Sequence, residues 1–301
     1  MRMSESVKKL TFGWVHENPD MRDYTPSHPE IARHLKKLKI DKILKGPSLP
    51  AAVDLRPWCP PVEDQKNLGS CTANAAAGVV EYMENRANNQ FIDACRLFIY
   101  KTTRDFLGYK GDSGATLRGT MGALVLFGAP PEKYWPYTDQ NLACPQGWDC
   151  EPSAFLYAFG QSFRALKYFR LDPAGSTPQQ VLGQIQTQLA AGFPAMFGFT
   201  VYSSISQAQA TGKIPFPGPK ESVLGGHAVV AVGYDNAMKI VNTNGNMTTT
   251  GAFLIRNSWG TSWGPMGGYL WMPYDYLIKG LAADWWSVIS EDYADCGQFG
   301  I

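Results

Sequence analysis

A chain of 301 residues, 45% apolar and 13% aromatic, carries enough core-forming material for one large packed domain or two ordinary ones. Its net charge of +1 and pI near 7.6 set up no field for nucleic acid or an anionic membrane surface. No stretch approaches the roughly 18 uninterrupted apolar residues of a membrane span, no Sec-type signal run stands near residue 1, and six cysteines at this length do not make a disulfide scaffold. A soluble chain is expected, cytoplasmic or exported by a non-Sec route.

Residues 1–50 carry ten Lys/Arg against six Asp/Glu, and within 31–44 the residues Ile31, Leu35 and Leu38 repeat at helical spacing. A turn-rich joint at 45–50 closes this arm. The arm reads as a candidate pro-segment or regulatory segment, expected to lie across or near an active cleft and limit access until moved or cut near 45–50, or as a solvated basic helix packed on the main body, residues 51–301. In that body, residues 72–88 lack helix breakers and place Val79, Val80 and Met83 on one face; 91–105 and 119–127 read as further helices. Cys144 and Cys150 bracket a short loop and either close a ring in an oxidising compartment or stand as free thiols. After about residue 190, β-branched and aromatic runs at 194–201, 227–234, 252–256 and 268–272 read as strands, and the Asn/Thr tract 242–251 as an exposed loop.

Chemistry enters at Cys71, at the head of the alanine-rich helix. The free N–H groups of a helix start carry the positive end of its dipole, which favours a reactive thiolate. Such a nucleophile needs a base to take its proton and a group to orient that base. His227 opens the apolar run 227–234 behind two glycines, while His16, His28 and His34 all lie in the arm. Asn257 follows the strand at 252–256 and offers an amide oxygen to an imidazole without adding charge. The histidines stand far from any cysteine pair, so no metal site is expected.

The blocks Gln65 to Ala75, Gly225 to Tyr234 and Asn257 to Gly264, in the order Cys, His, Asn, resemble the papain-like cysteine peptidases. The likeness runs from about Val53 to Tyr269 and takes in residues 111–115 and the Trp135-Pro136-Tyr137 element. It implies an α+β fold in two lobes, a helical one over about 60–165 and a β-barrel-like one over about 166–301, with the active cleft between them. It further implies a cysteine endopeptidase acting on peptide or protein substrates as a monomer, without cofactor, through a Cys71 thiolate, a His227 imidazolium and a thioester intermediate. Gln65 would donate to the oxyanion beside the backbone N–H of Cys71, such donors being worth about 3 to 4 kcal/mol each. Asn257 would orient His227 and Trp259 would shield their hydrogen bond. Ser113, Gly114 and Ala115, with Ala228 and Trp259, would contact a substrate added as a strand.

Departures from the family accompany these matches. Leu68 and Asp112 stand where the family carries the two halves of a disulfide, Thr72 replaces an aromatic residue after the nucleophile, and Gly226 precedes the histidine where an aspartate is common. The short arm, with its block Gly13-Trp14 through Asn18-Pro19-Asp20-Met21-Arg22-Asp23, looks more like bacterial members than plant or lysosomal ones. Two rival readings stand beside hydrolysis: a binding or effector module with a covered cleft, and acyl transfer to an amine.

Overall fold

In the computed structural model, which describes residues 10–40, 49–161 and 167–300, helices dominate the first half and strands the second. The helices are α1 (Pro29–Lys37), α2 (Cys71–Asn88), α3 (Arg96–Leu107), α4 (Leu117–Phe127), α5 (Ala154–Gly160), α6 (Pro178–Ala190), α7 (Ile205–Thr211), α8 (Asp275–Ile278) and α9 (Glu291–Asp295). The strands are β1 (Trp14–Val15), β2 (Ala52–Asp54), β3 (Ala115–Thr116), β4 (Lys167–Arg170), β5 (Ala195–Tyr202), β6 (Val223–Asn242), β7 (Met247–Arg256), β8 (Tyr269–Pro273) and β9 (Ala282–Ile289). Among the described residues, no helix is long and apolar enough to cross a membrane.

Helix α2 forms because residues 71–88 are rich in alanine and contain no proline, and it stops where Asn89 turns left-handed (φ 51°) and donates back to Asn85. Thr116 caps α4 by accepting from the N–H of Gly119. Cys95 caps the start of α3, buried, with its thiol donating to the carbonyl of Trp135 (3.3 Å). The apolar faces of α2 to α4 pack together, and α2 also lies against β6 and β5, which joins the helices to the sheet in one continuous core.

The barrel-like lobe takes the form of a seven-stranded sheet in the order β4-β9-β5-β6-β7-β8, with β2 pairing against β6 and all pairs antiparallel. The pairing of β5 with β6 sets His227 opposite Phe199 and Ala228 opposite Gly198. The Asn/Thr tract differs from the sequence expectation. Only residues 243–246 turn, while Thr248, Thr249 and Thr250 pair with Val241, Ile240 and Lys239 in the β6–β7 hairpin. Threonine suits such a half-exposed strand, and alternate side chains there are buried and exposed.

The amphipathic run folds as α1 at Pro29–Lys37, capped by the His28 ring and buried through Ile31, His34 and Leu35. It packs against α9, with ion pairs from Glu30 to Lys167 and from Lys37 to Asp295. Residues 41–48, which include most of the turn-rich joint, lie outside the described residues, as do residues 1–9. Cys144 and Cys150 are joined as a disulfide (Cα–Cα 5.4 Å), which decides between the two alternatives for that loop.

Candidate active site

Cys71 is the first residue of α2 and has no solvent exposure. The turn before it is held from several sides. Ser70 meets the Tyr137 hydroxyl (2.7 Å), the Asn74 amide donates to the Ser70 carbonyl (2.9 Å), and Tyr137 donates to the carbonyl of Gln65 (2.8 Å). Asp112, where the family has a cysteine, accepts from the N–H of Gly69 (2.9 Å) and from the Tyr100 hydroxyl (2.5 Å). A hydrogen-bonded carboxylate thus ties this loop to its neighbour in place of a disulfide. Gln65 is fully buried, with Nε2 donating to the carbonyl of Leu68 (2.9 Å) and Oε1 accepting from the Ser258 hydroxyl (2.6 Å).

His227, also fully buried, sits on β6 with Nε2 2.7 Å from Oδ1 of Asn257. An amide oxygen only accepts, so Nε2 carries the proton and Nδ1, which has no hydrogen-bond partner among the described residues, is the free basic nitrogen. The Trp259 indole stacks on the imidazole (4.5 Å between centroids, 19° between planes). The same Asn257 oxygen accepts from the N–H of Ser258 (2.8 Å). Burial pushes the Cys71 thiol up to about 11, against the amide N–H groups of Ala228, Gly13, Thr72 and Cys71 itself that turn toward it. Burial likewise pulls the His227 imidazole down to about 4, against the bond to Asn257. Burial thus disfavours the charged form of both groups.

The burial has a definite source. Residues 11–15 of the arm run through the cleft, the last two as β1. The carbonyl of Gly13 accepts from the N–H of Ala115 (2.8 Å), its N–H donates to the carbonyl of Gly226 (3.2 Å), and β1 pairs with β3 in parallel, Trp14 beside Ala115. The Thr11 carbonyl takes a hydrogen bond from Nε2 of Gln65 (3.2 Å). The Phe12 ring meets His227 and Trp259 edge-on, both at 6.3 Å. The fit depends on missing side chains: a Cβ on Gly13 would come 1.8 Å from the Gly69 carbonyl, and one on Gly114 would come 2.3 Å from the Gly13 carbonyl.

Further along, the block 18–23 docks on the body. Arg118 of α4 reaches both oxygens of Asp23 (2.7 and 2.8 Å), Glu17 (2.9 Å) and the Asn18 carbonyl (2.8 Å). Arg170 of β4, fully buried, donates to the Glu17 carbonyl (3.2 Å), and its backbone N–H donates to the Tyr24 carbonyl (2.7 Å).

Of the residues singled out in the sequence, Gln65, Cys71, His227, Asn257, Trp259, Ala228, Gly114 and Ala115 converge on this cleft. Ser113, next to Gly114, is exposed, and its hydroxyl donates to the Gly114 carbonyl (3.1 Å). The arm was expected across or near the cleft, but Thr11, Phe12 and Trp14 were not named as the residues that reach it, and Ser258 was not anticipated. Ser258 lies inside the Asn257 block, but its bond to Gln65 spans 193 positions of chain and leaves no local trace in the sequence.

Residues 49–280 match the family described as papain family cysteine protease. An uncharacterized peptidase C1-like protein of Acanthamoeba polyphaga mimivirus is 31% identical over 298 residues, spanning 95% of this chain and 89% of that one. A cathepsin L-like proteinase of Fasciola hepatica is 25% identical over 215 residues, 68% of this chain and 54% of that protein. Among solved structures, xylellain, a cysteine protease from Xylella fastidiosa, superposes with a TM-score of 0.74 at 31% identity, covering 96% of this chain and 99% of that one. Procathepsin L 3 of Tenebrio molitor, at 18% identity and a TM-score of 0.58 over 81% of this chain and 71% of that one, shares the fold.

Proposed function

The chain belongs to the papain family of cysteine proteases and is a cysteine peptidase, and from that premise we propose an endopeptidase kept latent by its own N-terminal arm. Cys71 attacks the substrate carbonyl carbon through Sγ while its proton passes to Nδ1 of His227. The tetrahedral oxyanion takes hydrogen bonds from Nε2 of Gln65 and the N–H of Cys71. His227 then protonates the leaving amine as the carbon–nitrogen bond breaks, leaving a thioester that water hydrolyses with His227 as base. Asn257 holds the proton on Nε2 so that Nδ1 faces the thiol.

One observation carries the reading. Nε2 of Gln65 already donates to a peptide carbonyl, that of Thr11, at 3.2 Å. The donor proposed for the oxyanion is thus engaged with the kind of group it would serve. The arm restrains activity in two ways. It fills the strand position beside Ala115, and it strips water from Cys71 and His227, which disfavours the charged pair. Movement or removal of the arm restores both access and ionisation.

Cys71→Ala should abolish hydrolysis of a quenched peptide library and labelling by a thiol-directed epoxide, and labelling that persisted in this variant would remove Cys71 from the mechanism. The covered cleft also suits a binding module with no turnover. Full-length protein that labels at Cys71 yet cleaves no library member under any pH or reducing condition would favour that reading, and amine-capped products in place of acids would favour acyl transfer.

A further inference from the structure

Helix α3 carries Tyr100 and Arg104 one turn apart, and both reach the segment 111–114 beside the cleft. Tyr100 is fully buried, and its hydroxyl works in two directions. It donates to Oδ1 of Asp112 (2.5 Å) and accepts from the N–H of Gly114 (3.2 Å). Arg104, also buried, lays its guanidinium against the Tyr100 ring (4.3 Å to the centroid) and donates to the Gly111 carbonyl (2.6 Å). The stacked guanidinium and the two hydrogen bonds hold the hydroxyl at one point.

The two walls of the cleft meet at that point. Oδ1 of Asp112 accepts from the N–H of Gly69 (2.9 Å) as well as from Tyr100, and Gly69 stands two residues before Cys71. On the other wall, the N–H of Gly114 is given to Tyr100, while the next one along, that of Ala115, is given to the Gly13 carbonyl in the cleft (2.8 Å). Gly114 adopts φ +70°, a conformation that glycine allows, and with this turn the two successive N–H groups find partners on different sides.

The arrangement fixes a distance that catalysis needs. A peptide that takes the place of the arm pairs its backbone with Ala115, and its carbonyl carbon must then lie at Sγ of Cys71, on the opposite wall. A hydrogen-bonded path from one wall to the other runs through Gly114, Tyr100, Asp112 and Gly69. A misplacement of about 1 Å between reacting groups can cost roughly a hundredfold in rate.

Resting on the endopeptidase reading above, we infer that Tyr100 is a positioning residue for peptide substrates. Its hydroxyl aims the N–H of Ala115 into the cleft and sets the spacing between the strand that a peptide pairs with and the turn that carries the nucleophile. Tyr100→Phe keeps the ring and its packing on Arg104, but it leaves the Gly114 N–H without its acceptor and takes one donor from Asp112. A substrate too short to reach Ala115 does not use this spacing.

The test compares full-length Trp14→Ala and Trp14→Ala/Tyr100→Phe proteins on two substrates. One is a quenched peptide with several residues before the attacked one; the other is p-nitrophenyl acetate, which ends at the attacked carbonyl. Both need the same open cleft and the same thiol, so the undocked fraction cancels in the peptide-to-ester ratio of kcat/KM. The inference expects that ratio to fall about tenfold, through both a lower kcat and a higher KM for the peptide. Arg104→Lys, which removes the flat group stacked on the ring, should lower the ratio severalfold, and it carries the test if Tyr100→Phe does not fold. A ratio within twofold of the parent, or peptide and ester rates that fall together, would overturn the role given to Tyr100. If the parent cleaves no peptide, the endopeptidase reading is what fails, and peptide binding to the Cys71→Ala forms is then followed by fluorescence anisotropy. Binding weakened severalfold by Tyr100→Phe keeps the positioning role, and equal binding overturns it.

Discussion

Trp14→Ala should release the arm without touching any group of the body. The indole is half-buried, pressed against Gly198 and Gly226, and bonded to Asp284. Deleting a fully buried tryptophan side chain typically costs about 3 to 5 kcal/mol, and this ring is only partly enclosed, so roughly 2 kcal/mol is a reasonable loss of arm-docking free energy. Each 1.4 kcal/mol is tenfold, which raises the undocked population roughly 30-fold while it remains the minor state. The assay is the second-order rate of alkylation of Cys71 by a small neutral reagent, read by mass spectrometry of the peptide that holds it. Cys59, Cys95 and Cys296 serve as internal references because they are also free thiols. When opening is fast compared with labelling, the rate tracks the undocked fraction. Peptide hydrolysis should rise in step. If Cys71 in a normally folded Trp14→Ala protein is alkylated within twofold of the unmodified rate, the arm does not gate the cleft and the restraint is wrong.

Other expectations follow from single contacts. Ser258→Ala removes the hydroxyl that fixes Oε1 of Gln65 (2.6 Å) and so loosens the amide proposed as oxyanion donor; on an arm-released background kcat should fall roughly tenfold with little change in KM, and a change confined to KM would count against the oxyanion role. Glu81 is buried in α2 with its carboxyl pushed up to about 8 by burial, near Glu63 and Asp93, whose carboxylates gather within 4.8 Å of its own. Because the folded state keeps a proton that the unfolded chain releases above pH 4.5, this group makes stability fall as pH rises from about 4.5 to 8, by up to about 1.4 kcal/mol per pH unit. Glu81→Gln should lessen that slope by up to one proton in urea unfolding run from pH 5 to 8; parallel curves for the two proteins would show that Glu81 is ionised in the fold.

The quartet Gln65, Cys71, His227 and Asn257 was legible because each member lies in a block with local character: a helix start, a glycine-flanked strand, a turn after a strand. The long helix α2 was legible for a similar reason, an unbroken alanine-rich run. The Thr tract misled because threonine is polar enough for a loop and β-branched enough for a strand, and only pairing with Ile240 and Val241 decides between them. The path of the arm was hidden more deeply. It depends on backbone carbonyls and N–H groups that every residue has, and on side chains that Gly69, Gly114, Gly198 and Gly226 lack, so nothing in the composition of residues 11–15 marks them as cleft-filling. The block from Gly13-Trp14 through Asp23 was visible as a pattern, but its meaning required Arg118 and Arg170, far along the chain.

Asp112 has a practical consequence for handling a thiol enzyme. A nucleophilic cysteine must be kept reduced, and reductants that protect it also attack a disulfide that braces the neighbouring cleft wall. Here the loop from Leu68 to Cys71 is braced by a carboxylate bonded to Gly69 and Tyr100. Dithiothreitol or glutathione can therefore keep Cys71 reduced without slackening the wall that holds it, and the one disulfide among the described residues, at Cys144 and Cys150, closes only its own short loop. The local wear of redox cycling is separated from the geometry that catalysis needs.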